Sequence, residues 1–570
     1  MRSHKYPTRT GAQLLVDALR IQGVDTVFCV PGESFLSVLD ALRDAQEDIR
    51  LIVCRHEGAA ANMAEAYGKL TGIPGICIVS RGPEATHASI GVHTAKQDST
   101  AMILLIGQTE RAFAGRESFQ EVDYQLMFAP LTKWVAEIHR ASRVPELISR
   151  AFQTAVSGRP GPVALALPAD MLTETAAVAE TRRYAVARAH PGPANMHQLN
   201  FMLTRAQRPL LMLGGGGWDQ NACIDMAAFA EANRLPVTVA FRFQDLFDNR
   251  NELYIGDVGL GMNPRLAECV RDADLLLVVG PRLSEATTIG YELLKPPRLN
   301  AGQQLVHVHA DPEELCRVYQ ADLPINAGMG AFAAAARLLE PVDSTRWHSW
   351  LRGARRSYLD HISVPEPETC DAKQFVDMSQ VVAYLRERLP SDAIVTNGAG
   401  NYTGWVHRFY QYRAFRTQLA PTSGAMGYGL PAAIAAKLRF PERVVVAFAG
   451  DGCFLMYGQE LATAMKYILP IIILVINNSM YGTIRMHQER NYPGRVYGTE
   501  LLNPDFAAFA RAFGAHGKIV NRTEEFRAAF EEAIAAESPW LLELRVDPEA
   551  ITPSSRLSEL ALRARHLPLN

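Results

Sequence analysis

The sequence predicts an α/β protein made of three doubly wound parallel-sheet domains. Short apolar runs alternate with helical patterns, charged and Pro-rich stretches interrupt this alternation twice, and the chain has 570 residues. Strands that alternate with helices of about 10–15 residues indicate βαβ units and a parallel sheet. At about 150 residues per domain, the length corresponds to three or four domains.

The first domain is predicted over residues 1–180. Its strand-length apolar runs are DTVFCV, IRLIVCR, GICIVS and AMILLIG, and helical patterns such as HEGAAANMAEAYGKLTG lie between them. VALALPADM, near residue 165, is the last predicted strand. The charged, proline-containing segment ETRRYAVARAHPGPAN (180–195) then indicates a linker.

The second domain is predicted over 195–342 and the third over 372–550. Strand patterns of the second include RPLLMLGGGGW, PVTVAFRF, ADLLLVVGP and QQLVHVHADPEEL. PVDSTRW and SVPEPETCDAK break the alternation near residues 341–372, and DAIVTNGAG, RVVVAFAG and PIIILVINN then restore it. Residues 551–570 form a short C-terminal tail to which the sequence assigns no role.

Composition excludes several classes of protein. The chain is 48% hydrophobic and 21% charged, which excludes disordered and fibrous proteins. A net charge of -3 supplies no broad basic face, so no nucleic-acid partner is expected. No apolar run approaches the roughly 20 residues that span a bilayer. The start shows no signal-peptide apolar region, and the eight cysteines occur singly. We therefore expect a cytoplasmic protein with reduced core thiols and no membrane partner.

Residues 443–478 carry the most informative pattern. The strand RVVVAFA ends at Gly450–Asp451–Gly452, a helical stretch follows, and the strand IIILVI ends at Asn477–Asn478. A right-handed βαβ crossover brings both strand ends to one edge of the sheet, where ligands of such sheets bind. Asp451 and Asn478 would offer hard oxygen ligands for Mg²⁺ or Ca²⁺, with phosphate oxygens completing the coordination. The neighbouring glycines let backbone amides approach the phosphates.

This pattern resembles the diphosphate-Mg²⁺ motif of thiamine-diphosphate enzymes, in which GDG is followed by 24 residues and NN. The chain is most similar to the acetolactate synthase-type group of the pyruvate oxidase and decarboxylase superfamily. RHEGAAANMAEAYGKLTG (55–72), SFQEVD (118–123), GRPGPVALALPADM (158–171) and GAMGYGLPAAIAAK (424–437) extend the similarity over nearly the whole chain. The resemblance implies a pyrimidine-binding N-terminal domain, a central domain and a pyrophosphate-binding C-terminal domain.

Glu57 matches the catalytic glutamate of that family. It follows the strand IRLIVC and begins an Ala-rich helical pattern, so its carboxyl group should be poorly solvated. By resemblance, this carboxyl group bonds pyrimidine N1′ and promotes the imino tautomer whose nitrogen deprotonates thiazolium C2. The alternative is a helix N-terminal carboxylate that stabilises the macrodipole.

Further site residues follow from the resemblance. Met426 matches the apolar residue that holds the cofactor in its bent shape, and Gly424 would offer its carbonyl to the 4′-amino group. Met480 would give a backbone carbonyl to the metal, beside Asp451 and Asn478. The other residues expected to contact the cofactor are Pro31, Gly400, Asn401, Tyr402, Gly450, Gly452, Cys453, Tyr481, Gly482 and Thr483.

Substrate-side residues agree less well with the family. Gln120 matches a glutamine near the thiazolium, and Arg485 is a candidate contact for a small carboxylate. The usual PGG turn, however, reads Pro31–Gly32–Glu33, and the PGATN segment reads PEATH (83–87). His487 replaces a bulky tryptophan. Because these departures lie near the substrate or its entrance, the chemistry transfers better than the substrate.

The resemblance therefore implies decarboxylation of a pyruvate-like 2-keto acid with carboligation to a carbonyl acceptor, in a homodimer or homotetramer. The alternatives are a 2-hydroxyacyl-CoA or oxalyl-CoA type lyase and a non-catalytic paralogue. Acetolactate synthases hold FAD in the central domain, and GGGGW (214–218) with GPRLSEA (280–286) would suit a dinucleotide. Such glycine-rich turns are common without one, so FAD stays open at this point.

Overall fold

Three six-stranded, all-parallel sheets with flanking helices form the protein, which confirms the predicted α/β class. A computed structural model describes residues 6–297, 302–364 and 374–565. The chain divides into two compact units, residues 1–188 and 189–570. Among the described helices, none has the length and apolar character needed to cross a bilayer.

The first unit contains one large sheet, whose strands lie in the order β3-β2-β4-β5-β7-β6, and a small antiparallel pair, β1 with β8. The strands are β1 (Thr8–Thr10), β2 (Thr26–Cys29), β3 (Arg50–Val53), β4 (Gly75–Val79), β5 (Met102–Gln108), β6 (Trp134–Glu137), β7 (Pro162–Pro168) and β8 (Thr175–Ala177). The helices are α1 (Gly11–Gln22), α2 (Leu36–Asp44), α3 (Glu57–Thr71), α4 (Gly82–Asp98), α5 (Tyr124–Phe128), α6 (Val144–Val156) and α7 (Ala169–Thr173).

Small residues let α3 pack tightly between β4 and α4. A Cβ atom on Gly75 would lie 1.8 Å from the Ala64 carbonyl oxygen, and one on Gly91 would lie 2.5 Å from Ala61. Larger side chains would push the helix off the sheet. The Ala-rich pattern after Glu57 therefore has a packing reason, and it fixes where Glu57 stands.

The second unit begins with a sheet in the order β11-β10-β9-β12-β13-β14. Its strands are β9 (Pro209–Leu213), β10 (Val237–Val239), β11 (Tyr254–Asp257), β12 (Leu275–Val279), β13 (Gln304–His309) and β14 (Leu323–Asn326). Its helices are α8 (Pro193–Arg205), α9 (Gln220–Ala232), α10 (Pro264–Asp272), α11 (Glu285–Thr288), α12 (Met329–Arg337) and α13 (His348–His361).

The third large sheet, also in the second unit, has the order β16-β15-β17-β18-β20-β19. Its strands are β15 (Ile394–Asn397), β16 (Gln418–Leu419), β17 (Val445–Gly450), β18 (Ile472–Asn477), β19 (His516–Val520) and β20 (Trp540–Arg545). Its helices are α14 (Met378–Arg388), α15 (Thr403–Phe409), α16 (Gly429–Arg439), α17 (Asp451–Phe454), α18 (Leu461–Lys466), α19 (Gly482–Asn491), α20 (Phe506–Ala512) and α21 (Thr523–Ile534).

Helix α13 corrects the break predicted near residues 341–372. Trp347, Leu351, Ala354 and Tyr358 are all buried and recur at three- or four-residue spacing, so one face of this segment packs on the central core. Its many Arg and His residues concealed that periodicity. Residues 365–373 of the predicted break lie outside the described residues.

The described part of the C-terminal tail forms regular structure. It contains β21 (Ala550–Thr552), β22 (Ser555–Arg556) and α22 (Leu557–Arg565). Ile551, Leu557 and Leu560 form a small apolar cluster with Met486 of α19. The tail therefore packs against the helix that follows Asn478.

The cysteine prediction is only partly correct. None of the seven described cysteines forms a disulfide, as expected. Cys316 is exposed and Cys269 is half-buried, however, so these two are not core thiols. Cys370 lies outside the described residues.

In each large sheet, the chain crosses its starting strand at one point. The chain passes from one side of the starting strand to the other between β2 and β4, between β9 and β12, and between β15 and β17. Crevices at such points, beyond the carboxyl ends of the strands, are where doubly wound sheets bind ligands. Each of the three sheets therefore has one crevice where a ligand could bind.

Candidate active site

The crevice of the third sheet brings the predicted metal ligands together. Gly450 of β17 pairs with Ile476 of β18, so Asp451 and Asn477–Asn478 emerge side by side. Asn503 joins the two strand ends, because its Nδ2 donates to Asp451 Oδ2 at 2.8 Å and to Asn477 Oδ1 at 3.0 Å. Convergence of these strand ends was predicted from the βαβ crossover. The single helical stretch predicted between them is instead two short helices, α17 and α18.

Asp451 has the surroundings of a buried metal ligand. It is 3% exposed, and burial raises the pKa of its carboxyl group. The groups that lower this pKa are neutral donors: the amides of Gly452, Ser479 and Met480 and the side chain of Asn503. A buried carboxylate that has only neutral partners is stabilised by a cation, since burial of an uncompensated charge is costly. Asn478 Oδ1 accepts a long 3.3 Å bond from the Met480 amide, and the Met480 carbonyl keeps a lone pair beside its bond to Gly482. This oxygen set fits Mg²⁺.

A cavity of about 370 Å³ opens at this crevice. It is lined by every residue that the sequence assigned to the cofactor or metal in the C-terminal domain: Gly400, Asn401, Tyr402, Gly424, Met426, Gly450, Asp451, Gly452, Cys453, Asn478, Met480, Tyr481, Gly482 and Thr483. Their contacts with a ligand stay predictions, and what the structure provides is a shared wall.

Glycines make the wall of this cavity close-fitting. A Cβ atom on Gly450 or Gly400 would lie 3.0 or 2.9 Å from the Tyr402 ring, and one on Gly452 would lie 2.6 Å from Tyr481. Gly400 also has a φ of 147°, which a larger residue rarely adopts. A larger residue at these positions would clash with the tyrosine rings, so the backbone itself forms this part of the wall.

Side chains across the cavity hold one another in place. Thr483 Oγ1 donates to Asn401 Oδ1 at 2.9 Å, and the Tyr402 hydroxyl accepts from the Gly398 amide at 3.0 Å. Cys453 Sγ accepts from the Gly427 amide at 3.1 Å, which anchors the turn carrying Met426. The Tyr402 hydroxyl also lies 3.4 Å from Cys453 Sγ, so side-chain contacts connect the N-terminal ends of α15, α17 and α19.

The sequence did not reveal several residues of this region. Asn503 follows no strand pattern, and nothing in its surroundings in the sequence marks it as a partner of Asp451. Arg556 of the tail also lines the cavity, where its Nη2 pairs with Asp547 Oδ2 at 2.9 Å. Arg485 pairs with the buried Glu489 at 2.8 Å within α19, and its contact with a substrate stays a prediction.

The first unit carries the predicted glutamate at the start of α3. Glu57 is 8% exposed, and Ala59, Ala60 and Met63 around it are fully buried. His87 of α4 approaches it, with Nδ1 2.8 Å from Glu57 Oε2. The carboxyl group is therefore poorly solvated, as predicted, and it has one polar partner that the sequence did not predict.

Two of the predicted departures from the family, Pro31–Gly32–Glu33 and PEATH (83–87), follow β2 and β4 of the first unit, whereas His487 lies on α19 of the second unit. Pro31 and Glu33 follow β2 and are exposed, and Ser34 Oγ lies 2.7 Å from Ser80 Oγ at the end of β4. Glu84 accepts a hydrogen bond from the Ser80 amide, and burial, together with the charges of Glu57 and Glu33, raises the pKa of Glu84. The carboxylates of Glu57 and Glu33 therefore both act on Glu84 at the start of α4.

Gln120 is placed at the same end of α4. Its carbonyl accepts from the Gly82 amide at 3.0 Å, and its φ of 59° lies in the left-handed region. Such a conformation is unfavourable for glutamine and persists only where the surroundings enforce it, often at functional sites. The structure thus fixes the backbone of Gln120 beside α4.

Glycines at the crevice of the central sheet pack closely against one another. A Cβ atom on Gly215 would lie 2.1 Å from the Gly280 carbonyl oxygen, and one on Gly280 would lie 2.3 Å from that of Gly214. Trp218 is buried here and donates from Nε1 to the Gly214 carbonyl at 2.7 Å. These glycines fit one another, which explains both glycine-rich segments without FAD. Whether the central domain binds FAD stays a prediction.

Three family models match the chain, one on each sheet. They are thiamine pyrophosphate enzyme, N-terminal TPP binding domain (residues 9–127), central domain (196–336) and C-terminal TPP binding domain (398–544). The chain therefore belongs to the thiamine pyrophosphate enzyme family, as the sequence motifs predicted.

Within this family, the chain is similar to acetolactate synthase large subunits. The acetolactate synthase isozyme 2 large subunit of Escherichia coli (strain K12) is 31% identical over 542 residues, which cover 94% of this chain and 95% of that protein. The isozyme 1 large subunit of the same strain is 31% identical over 547 residues, covering 95% and 94%. The acetolactate synthase large subunit of Parasynechococcus marenigrum (strain WH8102) is 31% identical over 561 residues, covering 95% and 88%.

Proposed function

We propose that the protein uses thiamine diphosphate and Mg²⁺ to decarboxylate a short 2-keto acid, first of all pyruvate, and to join the remaining fragment to a carbonyl acceptor. The observation that carries this proposal is the oxygen-lined, glycine-walled cavity of Asp451 and Asn478, together with the buried Glu57. The relatives above are named for acetolactate synthesis, so the CoA-dependent lyase predicted as an alternative is not favoured. We also propose a cytoplasmic location. The proposed domains span residues 1–180, 195–342 and 372–550, with a C-terminal tail over 551–570.

The second unit would hold the charged end of the cofactor. Asp451 and Asn478 would supply side-chain oxygens and Met480 its carbonyl to Mg²⁺, which offsets the diphosphate charge. Backbone amides of the residues next to Gly400, Gly452 and Gly482 would donate hydrogen bonds to phosphate oxygens. Met426 and Gly424, at the inner wall, would orient the aminopyrimidine and thiazolium rings.

The first unit would supply the group that exchanges a proton with the cofactor. When bound, thiamine diphosphate would supply a nucleophilic thiazolium carbon for the keto carbonyl and a cationic ring able to take up the electron pair of the bond between the carbonyl and carboxylate carbons as CO₂ leaves. The Glu57 carboxyl group would hold and exchange the proton at pyrimidine N1′. Gln120, with its backbone fixed, would orient the substrate carbonyl.

The carboxylate of Glu33 should select against an anionic acceptor. In Glu33→Gln, supplied with pyruvate and an aldehyde together, we expect the ratio of acetolactate to the aldehyde-derived hydroxyketone to rise about fivefold. The repulsion energy of two like charges about 4 Å apart in water is roughly 1 kcal/mol, and this energy corresponds to an approximately fivefold change in the product ratio. Chromatography with mass detection measures the two products.

Glu47→Gln is the matched control, since Glu47 is an exposed glutamate of the same unit. It should leave the ratio unchanged. Acetolactate as the dominant wild-type product even with the aldehyde present would contradict selection by Glu33, although not the proposed chemistry.

We further propose an active form that is at least a homodimer, in which Glu57 of one protomer serves the Asp451 cavity of its partner. A mixture of inactive Glu57→Gln and inactive Asp451→Ala protein should then regain activity, because a hybrid dimer has one intact site. With random exchange, about one quarter of all sites would be intact, since each protomer pair combines independently. Native mass spectrometry verifies that hybrids form. Hybrids that form and remain inactive would contradict a shared site.

A further inference from the structure

The contact between Glu57 and His87 gives the proposed active site a component that the family resemblance did not assign. Glu57 is 8% exposed, whereas the His87 side chain is about half exposed, at 50%. The two are joined by the 2.8 Å contact between Oε2 and Nδ1. His87 therefore connects a buried carboxyl group with solvent.

The His87 ring is itself held in place. It stacks on the His56 ring, with the ring centroids 4.7 Å apart. His56 is fixed in turn, because its Nδ1 accepts from the Gly58 amide at 3.0 Å as the N-cap of α3. The geometry of the Glu57–His87 pair thus follows from the start of α3 rather than from a flexible surface side chain.

Other ionisable groups near Glu57 are less suited to exchange protons with it. His56 Nδ1 is occupied by the Gly58 amide, and burial next to His87 lowers the pKa of His56. Cys77 is fully buried, and burial raises the pKa of its thiol well above the usual range. Glu84 accepts from the Ser80 amide, while Glu33 acts on Glu84 by charge alone.

We infer that His87 is a positioning residue for Glu57 and the route by which its carboxyl group exchanges protons with solvent. One carboxyl oxygen, Oε2, is held by His87, which leaves Oε1 to face pyrimidine N1′. This inference rests on the proposed function, since it assigns Glu57 to N1′. The pair also departs from the family pattern, whose PGATN segment has asparagine at the position of His87.

The proton balance of this route is simple. After Glu57 gives up its proton, neutral His87 passes the Nδ1 proton to the Oε2 oxygen and takes a proton from solvent at Nε2. The imidazole ends as the other neutral tautomer, and the Glu57–His87 pair returns from a net charge of minus one to neutral, at the expense of one proton from solvent. The reverse sequence returns a proton to solvent.

The first test uses the cofactor-free protein in EDTA, because His56, Glu57 and His87 have ligand atoms within 4.8 Å of one another and could hold a stray metal ion. With ¹⁵N-labelled histidine, we expect His87 to carry its proton on Nδ1 in the wild type. In Glu57→Ala, the Nε2-protonated form should replace it. The same tautomer in both proteins would overturn the contact on which the inference depends.

The second test measures hydrogen–deuterium exchange at C2 of thiamine diphosphate bound with Mg²⁺, by acid quench and NMR. His87→Ala should slow this exchange at least about tenfold. Groups that transfer the proton directly contribute about 10²–10⁴-fold, and we expect a smaller effect here because His87 acts through Glu57. His87→Gln keeps a donor for Oε2 but cannot relay a proton, so it should be slow too. Added imidazole should restore exchange in His87→Ala.

His93→Asn is the control, since His93 is an exposed histidine on the same helix. It should exchange at the wild-type rate. Wild-type exchange in His87→Ala would overturn the inference, and wild-type exchange in His87→Gln or no rescue by imidazole would overturn the proton route. Failure of the proposed function is distinguishable, because the wild type itself would then not accelerate exchange over the free cofactor.

Discussion

Asp451→Ala should lose tight binding of thiamine diphosphate while the fold survives. The substitution removes the one charged oxygen ligand proposed for Mg²⁺ and leaves the diphosphate charge poorly compensated. Changes to groups that merely orient a metal ligand cost about 10–100-fold in affinity, so loss of the ligand should cost at least about 100-fold. Isothermal calorimetry with thiamine diphosphate in excess Mg²⁺ measures this affinity.

Asp451→Asn separates charge from shape. The amide oxygen can still accept from the Gly452 amide, which bonds Asp451 Oδ1 at 2.8 Å, but the negative charge is gone. We expect weaker cofactor binding in both variants and an unchanged circular dichroism spectrum. Undiminished cofactor affinity in Asp451→Ala would contradict the metal assignment.

Glu57→Gln should bind the cofactor normally but activate it slowly. The amide still reaches pyrimidine N1′, yet it cannot exchange a proton there. General acid–base groups typically contribute about 10²–10⁴-fold, and we expect C2 exchange and turnover to fall within that range. Stopped-flow mixing with D₂O, followed by acid quench and NMR, gives the exchange rate.

Glu47→Gln makes the same chemical change at an exposed position of the same unit and should exchange at the wild-type rate. A Glu57→Gln protein that exchanges as fast as the wild type would show that this carboxyl group is not the activator. Loss of cofactor binding in Glu57→Gln would instead indicate that Glu57 serves in binding.

The alternation of short apolar runs with helical patterns predicted most of the fold. Buried strands such as β17 and β18 are short apolar runs bounded by turns, and parallel pairing brings their ends together wherever the crossover is right-handed. The convergence of Asp451 with Asn477–Asn478 therefore follows from the sequence. Helix α13 was missed because its apolar positions are separated by charged residues inside a segment that otherwise resembles a linker.

Side-chain partners from distant elements could not be predicted. Asn503 lies 52 residues after Asp451, and only the loop before α20 brings its amide between the ends of β17 and β18. His87 was noticed as a departure from a motif, but its bond to Glu57 depends on how closely α4 approaches α3. That approach depends on Gly91 meeting Ala61, a matter of packing rather than of local pattern.

Release of ¹³CO₂ from [1-¹³C]pyruvate is the most direct measurement of the proposed function. The purified wild-type protein should release it only when thiamine diphosphate and Mg²⁺ are both present, and Glu57→Gln and Asp451→Ala should reduce the rate at least about 100-fold. Release that persists at the wild-type rate in both variants, or no release from pyruvate or any other short 2-keto acid, would contradict thiamine-dependent decarboxylation at this site.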